Sequence, residues 1–229
     1  MSVPETAARL SSLPLFAALP RPDLADLASR FAVKAVRRGA RIFRQGEPGD
    51  ALFVVDEGSV KISTLASDGR EVILAVIGPG ELFGELSLFD RGLRSADATA
   101  LEDARLLSLS LETFRPYLHS HPDVAIELLS VLAGRIRNTD QALQDALYSD
   151  VPGRLAKKLL ELAERYGKEA DGRVVIDLAV TQDELARMVG SSRESVNKAL
   201  SSFMSRGSLG QQDRRYVILD AAYLRRRAG

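Results

Sequence analysis

The sequence predicts an α+β fold with a β-rich first half, one long helix and a helical C-terminal third. Three observations predict it. Between Phe31 and Leu111, short apolar segments alternate with the turns Asp56-Glu57-Gly58, Ser67-Asp68-Gly69 and Gly78-Pro79-Gly80. After Ser120 the apolar residues fall at heptad steps instead. Beyond Pro152, two short helical patterns meet at Gly190 ahead of a strand pair.

Taken in order, residues 22–30 read as a short helix with Leu24 and Leu27 inward. Leu52–Val55, Ser59–Leu65, Glu71–Ile77 and Ala104–Leu109 read as strands of an antiparallel barrel or sandwich. Inside this β-rich region, residues 83–96 carry the parts needed to grip a small cyclic phosphate. Gly84 lets backbone N–H groups approach an anion, and the Glu85 carboxylate can accept from a ribose hydroxyl. Arg94 and Ser95 add a guanidinium fork and a hydroxyl for phosphate oxygens.

Ser120-His121-Pro122-Asp123 opens the long helix, with Pro tolerated in the first turn and an acid favoured by the dipole. Leu129, Leu132, Ile136, Leu143 and Ala146 step by 3, 4, 7 and 3, and Thr139 fills the missing position. Such a seam suits pairing with a second copy of the same helix. Asp150 caps a helix restarting at Val151-Pro152 and running to about Tyr166. Asp171-Gly172 is a turn, and Val174–Leu178 a strand.

Thr181-Gln182-Asp183-Glu184 starts a further helix, with Thr181 as cap. After Gly190-Ser191-Ser192, a second helix spans Arg193–Met204 with Val196, Leu200 and Phe203 inward. Its outward residues Arg193, Glu194, Asn197 and Lys198 are chemically suited to base edges and phosphates. Ser208–Gln211 and Tyr216–Leu219 form a wing around Gln212-Asp213-Arg214-Arg215. A winged helix-turn-helix that places its second helix in the major groove of DNA is expected.

Composition narrows the function classes. The chain has 229 residues and no net charge, but residues 152–229 carry 15 Lys and Arg against 10 Asp and Glu. The first 151 residues carry 16 against 21, so the basic third is the one suited to a polyanion. No run suits a membrane span and the N-terminus lacks a leader-like pattern, so an unexported, cytoplasmic protein is expected. There are no cysteines, which excludes disulfides, iron–sulfur ligation by thiolates and cysteine nucleophiles. The two histidines, His119 and His121, lie just before Pro122 and suit a helix entry rather than haem or another metal. The C-terminal third shows no catalytic constellation, so no enzyme is expected.

Together, Gly84-Glu85-Leu86, Arg94-Ser95-Ala96, Thr139, Asp150-Val151-Pro152-Gly153-Arg154 and Val189-Gly190-Ser191-Ser192-Arg193-Glu194-Ser195-Val196 resemble the CRP/FNR superfamily of bacterial transcription regulators, nearest to cyclic-AMP receptor proteins. The resemblance spans nearly the whole chain. It implies a cyclic-nucleotide-binding β-roll with N-terminal helices at 1–119, a dimerisation helix at 120–149 and a DNA-binding domain at 150–229. It further implies that Gly84, Glu85, Leu86, Arg94 and Ser95 hold the ribose and cyclic phosphate of cAMP, with Thr139 and Asp140 at the purine. Thr181, Gln182, Ser192, Arg193, Glu194, Asn197 and Lys198 would meet DNA. The implied partners are a pseudo-palindromic operator, a second copy of the chain and RNA polymerase.

Three positions depart from the family pattern. The loop between Glu85 and Arg94 is one residue shorter than in the enterobacterial type, and Asn197 replaces a frequent Gly. Asp140 stands where Ser or Asn is usual. Its carboxylate accepts from adenine's amine but suits guanine's two adjacent donors better, and it is equally placed as a solvated helix flank. Control by cAMP, control by cGMP and ligand-independent DNA binding therefore all stay open.

Overall fold

The computed structural model describes residues 2–229 except 12, 18, 91, 171, 213 and 214. The chain forms two compact units, residues 1–64 with 74–136 and residues 65–73 with 137–229.

In the first unit, helices α1 (Val3–Ser11), α2 (Pro14–Ala17) and α3 (Arg21–Ser29) precede the strands. These are β1 (Ala32–Val36), β2 (Arg41–Phe43), β3 (Ala51–Glu57), β4 (Val60–Leu65), β5 (Glu71–Ile77), β6 (Leu82–Phe83), β7 (Asp97–Ala100) and β8 (Ala104–Ser110). They pair into two sheets ordered β1-β8-β3-β6 and β2-β7-β4-β5. Short helix α4 (Leu86–Asp90) follows β6, while α5 (Leu111–Ser120) and the long α6 (Pro122–Tyr148) follow β8, α6 belonging to the first unit as far as Ile136.

Strand β3 explains the packing. Leu52 and Val54 join a core with Leu10, Phe16 and Leu27 of the helices and with Phe114 and Leu128. Phe53 and Val55 join a second core with Val60, Phe83, Ala98 and Leu106. A strand covered on both faces loses its polar alternation, which is why Leu52–Val55 is continuously apolar in sequence. In sequence the strands lead directly to the long helix pattern, but in the fold α5 intervenes. Pro116 inside α5 obscures the helical pattern, whereas Ser110 caps it by accepting from the Thr113 N–H.

In the second unit, α7 (Val151–Tyr166) starts where Asp150 accepts from the Gly153 N–H at 2.8 Å. A sheet ordered β11-β12-β10-β9 follows, built from β9 (Gly167–Ala170), β10 (Arg173–Ile176), β11 (Leu209–Gln212) and β12 (Arg215–Ile218). Between its strands lie α8 (Gln182–Met188) and α9 (Arg193–Ser205), and α10 (Ala221–Ala228) ends the chain. Strand 174–178 of the sequence reading ends at Ile176 and gains the exposed partner β9. The expected turn at Asp171 and the wing tip at Asp213-Arg214 lie outside the described residues. No helix among the described residues is long and apolar enough to cross a membrane.

Candidate functional site

Strand β6 ends at Gly84, whose φ of +79° turns the chain toward α4. A Cβ at that position would sit 2.8 Å from Arg94 Nη1, so the close approach also requires glycine. Arg94 arrives from the far side of α4, where its N–H donates to the Glu47 carbonyl at 2.8 Å. Its guanidinium donates through Nη1 to the Gly84 carbonyl and through Nη2 to the Ala51 carbonyl, both at 2.7 Å. The Phe43 ring lies under it, 4.2 Å from Cζ to centroid.

The charge environment is sharply buried. Arg94 is 4% exposed and Glu85 1%. Burial pushes the Arg94 guanidinium below the usual arginine range, while Asp50, Glu85 and Glu47 oppose that shift. Arg135 of α6 pairs with Glu85 Oε1 and also donates to the Leu82 carbonyl. Glu85 Oε2 and Arg94 Nε remain without a hydrogen-bond partner, the two such buried side-chain atoms among the described residues. One is an acceptor and the other a donor, so together they suit a group offering both a hydroxyl and an anionic oxygen.

The fold thus gathers Gly84, Glu85 and Arg94, which are 10 residues apart at most in sequence. Leu86 begins α4 and is partly exposed, and Ser95 is exposed beside Arg94. Thr139 and Asp140 are exposed on the α6 segment that belongs to the second unit. Sequence reading missed Arg135 and Gly49. A Cβ on Gly49 would fall 2.2 Å from Ser87 Oγ, a backing contact visible only in three dimensions. Arg135 did leave a signal, since it stands one helical turn before Thr139 on the same face.

The second candidate site lies on α8 and α9. Thr181 and Glu184 form a reciprocal capping box, so the Thr181 hydroxyl already serves the helix end. Gln182 follows, half-buried. Ser192 caps α9 by accepting from the Ser195 N–H at 3.2 Å. Arg193, Glu194, Asn197 and Lys198 are all exposed, whereas Val196, Ala199, Leu200 and Phe203 are buried. Hydrogen bonds from its own backbone and from Ser192 hold the Glu194 carboxyl below the usual carboxylate range, keeping it an acceptor. The face therefore presents an anionic acceptor, two cations and an amide in the first turns of one helix.

The cyclic nucleotide-binding domain model matches residues 33–121, and the Crp-like helix-turn-helix domain model matches residues 153–227. The chain is 44% identical over 191 residues to a CRP-like cAMP-activated global transcriptional regulator of Mycobacterium tuberculosis, covering 83% of this chain and 85% of that protein. It is 38% identical over 195 residues to a cyclic AMP receptor protein of Thermus thermophilus, covering 85% and 87%. A solved CRP-family transcriptional regulator from Thermus thermophilus superposes with a TM-score of 0.72 at 29% identity, covering 86% of this chain and 96% of that one.

Proposed function

The chain belongs to the CRP/FNR superfamily of transcription regulators, and on that premise we propose that it is a homodimer switched by cyclic AMP. It is a DNA-binding regulator with a cyclic-nucleotide-binding domain, not an enzyme. The observation that carries the ligand proposal is the pair of buried atoms Glu85 Oε2 and Arg94 Nε. Leaving such groups unsatisfied costs about 1–3 kcal/mol each, and a ribose hydroxyl and a cyclic phosphate would satisfy both.

In this reading Gly84, Glu85, Leu86, Arg94 and Ser95 hold ribose and phosphate, and Thr139 and Asp140 meet the purine. Residues 1–119 form the sensor, 120–149 the dimer helix and 150–229 the reader of a pseudo-palindromic operator. Arg193, Glu194, Asn197 and Lys198 read bases, with Thr181, Gln182 and Ser192 near the backbone. The protein works in the cytoplasm beside RNA polymerase. Nucleotide bound between sensor and dimer helix favours one dimer geometry and so sets the separation of the two α9 helices.

Calorimetric titration with cAMP and cGMP, for the native protein and Arg94→Ala, tests the site. Tight cAMP binding that falls at least a hundredfold in the variant is expected. Equal affinity in both proteins would refute the assignment. The exposed carboxylate of Asp140 supports cGMP as the second ligand, and Asp140→Asn should then weaken cGMP more than cAMP.

A further inference from the structure

Helix α10 carries Arg225, Arg226 and Arg227 in its last turn. Arg227 is committed to the fold, pairing with Asp150 at the start of α7. Its carbonyl also packs 3.2 Å from where a Cβ on Gly153 would stand. Arg225 and Arg226 are exposed and, among the described residues, form no ion pair.

The position of this turn follows from a chain of contacts inside the second unit. Arg227 holds Asp150, and Asp150 caps α7 through Gly153. In the same turn of α7, Arg154 donates to the Val189 carbonyl at 2.9 Å and to the Ser149 carbonyl at 2.6 Å. Val189 closes α8, immediately before the Gly190-Ser191-Ser192 link into α9. The arginine-bearing end of α10 is therefore tied to the end of the helix-turn-helix from which α9 begins. Nearer its start, Tyr223 packs edge-on against Phe203 of α9, so α10 lies along α7 and also touches the second helix of the helix-turn-helix.

We propose that Arg225 and Arg226 contact duplex phosphates, as an extra edge of the DNA interface outside the bases read by α9. Exposed guanidiniums with no internal partner suit phosphate oxygens, and they add affinity without reading sequence. The proposal rests on the helix-turn-helix binding duplex DNA. The competing explanation is local, with arginines offsetting the negative end of the α10 dipole. That role would alter thermal stability and leave DNA binding unchanged.

The test first selects a duplex from a random pool with the full-length native protein and cAMP. Anisotropy titrations across a salt series then compare native protein with the double variant Arg225→Ala/Arg226→Ala. Each lost phosphate contact lowers the log–log salt slope by about 0.9, so a drop of about 2 per protomer is expected, with base preference unchanged. The variant Arg225→Lys/Arg226→Lys should keep most of the native slope. An unchanged slope in the alanine variant, or a shifted base preference, would overturn the α10 assignment alone. Failure of the native protein to select any duplex would overturn the operator reading, and this inference with it.

Discussion

At the residue scale, Gly84 meets two demands at once, a left-handed backbone and room for the Arg94 guanidinium 2.8 Å from its would-be Cβ. Gly84→Ala should cost about 1–3 kcal/mol from the conformation alone, before the clash is counted. A thermal melt of the variant with and without cAMP checks this, and a native melting temperature would contradict it. Arg135 is the other decisive residue, since it supplies the counter-charge to a Glu85 carboxylate that is 1% exposed. Arg135→Ala should destabilise the protein by about 1–3 kcal/mol and weaken cAMP binding at least tenfold. Combining it with Glu85→Gln should cost less than the sum of the two single changes, because no buried charge is then stranded. A double-mutant cycle by denaturant melts and calorimetry reads that coupling.

At the scale of elements, α6 carries Leu129, Ile136 and Leu143 at 58%, 62% and 61% exposure and seven residues apart. Each buried leucine or isoleucine is worth about 1.5–3 kcal/mol, so a partner helix covering this stripe gains substantially. If the proposed dimer forms through this stripe, Ile136→Glu should sediment as a monomer at micromolar concentration where the native protein sediments as a dimer, and equal sedimentation coefficients would contradict the dimer reading. Two carboxyls of the second unit make it acid-sensitive. Pairing with Arg227 and the Gly153 N–H holds the Asp150 carboxyl below its usual range, and Lys168 and Arg215 do the same for Asp177. Both carboxyls therefore bind protons less readily folded than unfolded. Their stabilisation is present above the unfolded value of about 4 and is lost as pH falls through the lower folded value. The melting temperature should drop more steeply below about pH 4, and Asp177→Asn should flatten that slope.

At the scale of the whole molecule, a nucleotide switch obeys linkage. If cAMP raises operator affinity by some factor, operator DNA must raise cAMP affinity by the same factor. Paired titrations, each with the other ligand saturating, check the equality. Equal operator affinity with and without cAMP would leave DNA binding intact and remove the switch. The caps at Asp150 and Thr181 were legible, because each joins residues three apart through local hydrogen bonds, whereas the Ser192 cap read in sequence as part of a turn. Strand β9 was not legible, because Gly167–Ala170 is exposed throughout and exists only through its register with β10. Helix α10 buries only Leu224 and left too faint a periodicity to find.

The amino-acid order by itself determined the succession of β-domain, heptad helix and winged helix-turn-helix, and the chemical types at Gly84, Glu85, Arg94 and Arg193. Periodicity, capping and turn chemistry act over a few residues, so one sequence suffices to read them. Tertiary structure alone decided that Arg94 is pinned by the Gly84 and Ala51 carbonyls with Nε left over. It alone decided that Glu85 finds Arg135 fifty residues away, and that α10 ends at Asp150. Burial and unmet hydrogen bonds depend on which distant segments close around a group, and no local pattern encodes that.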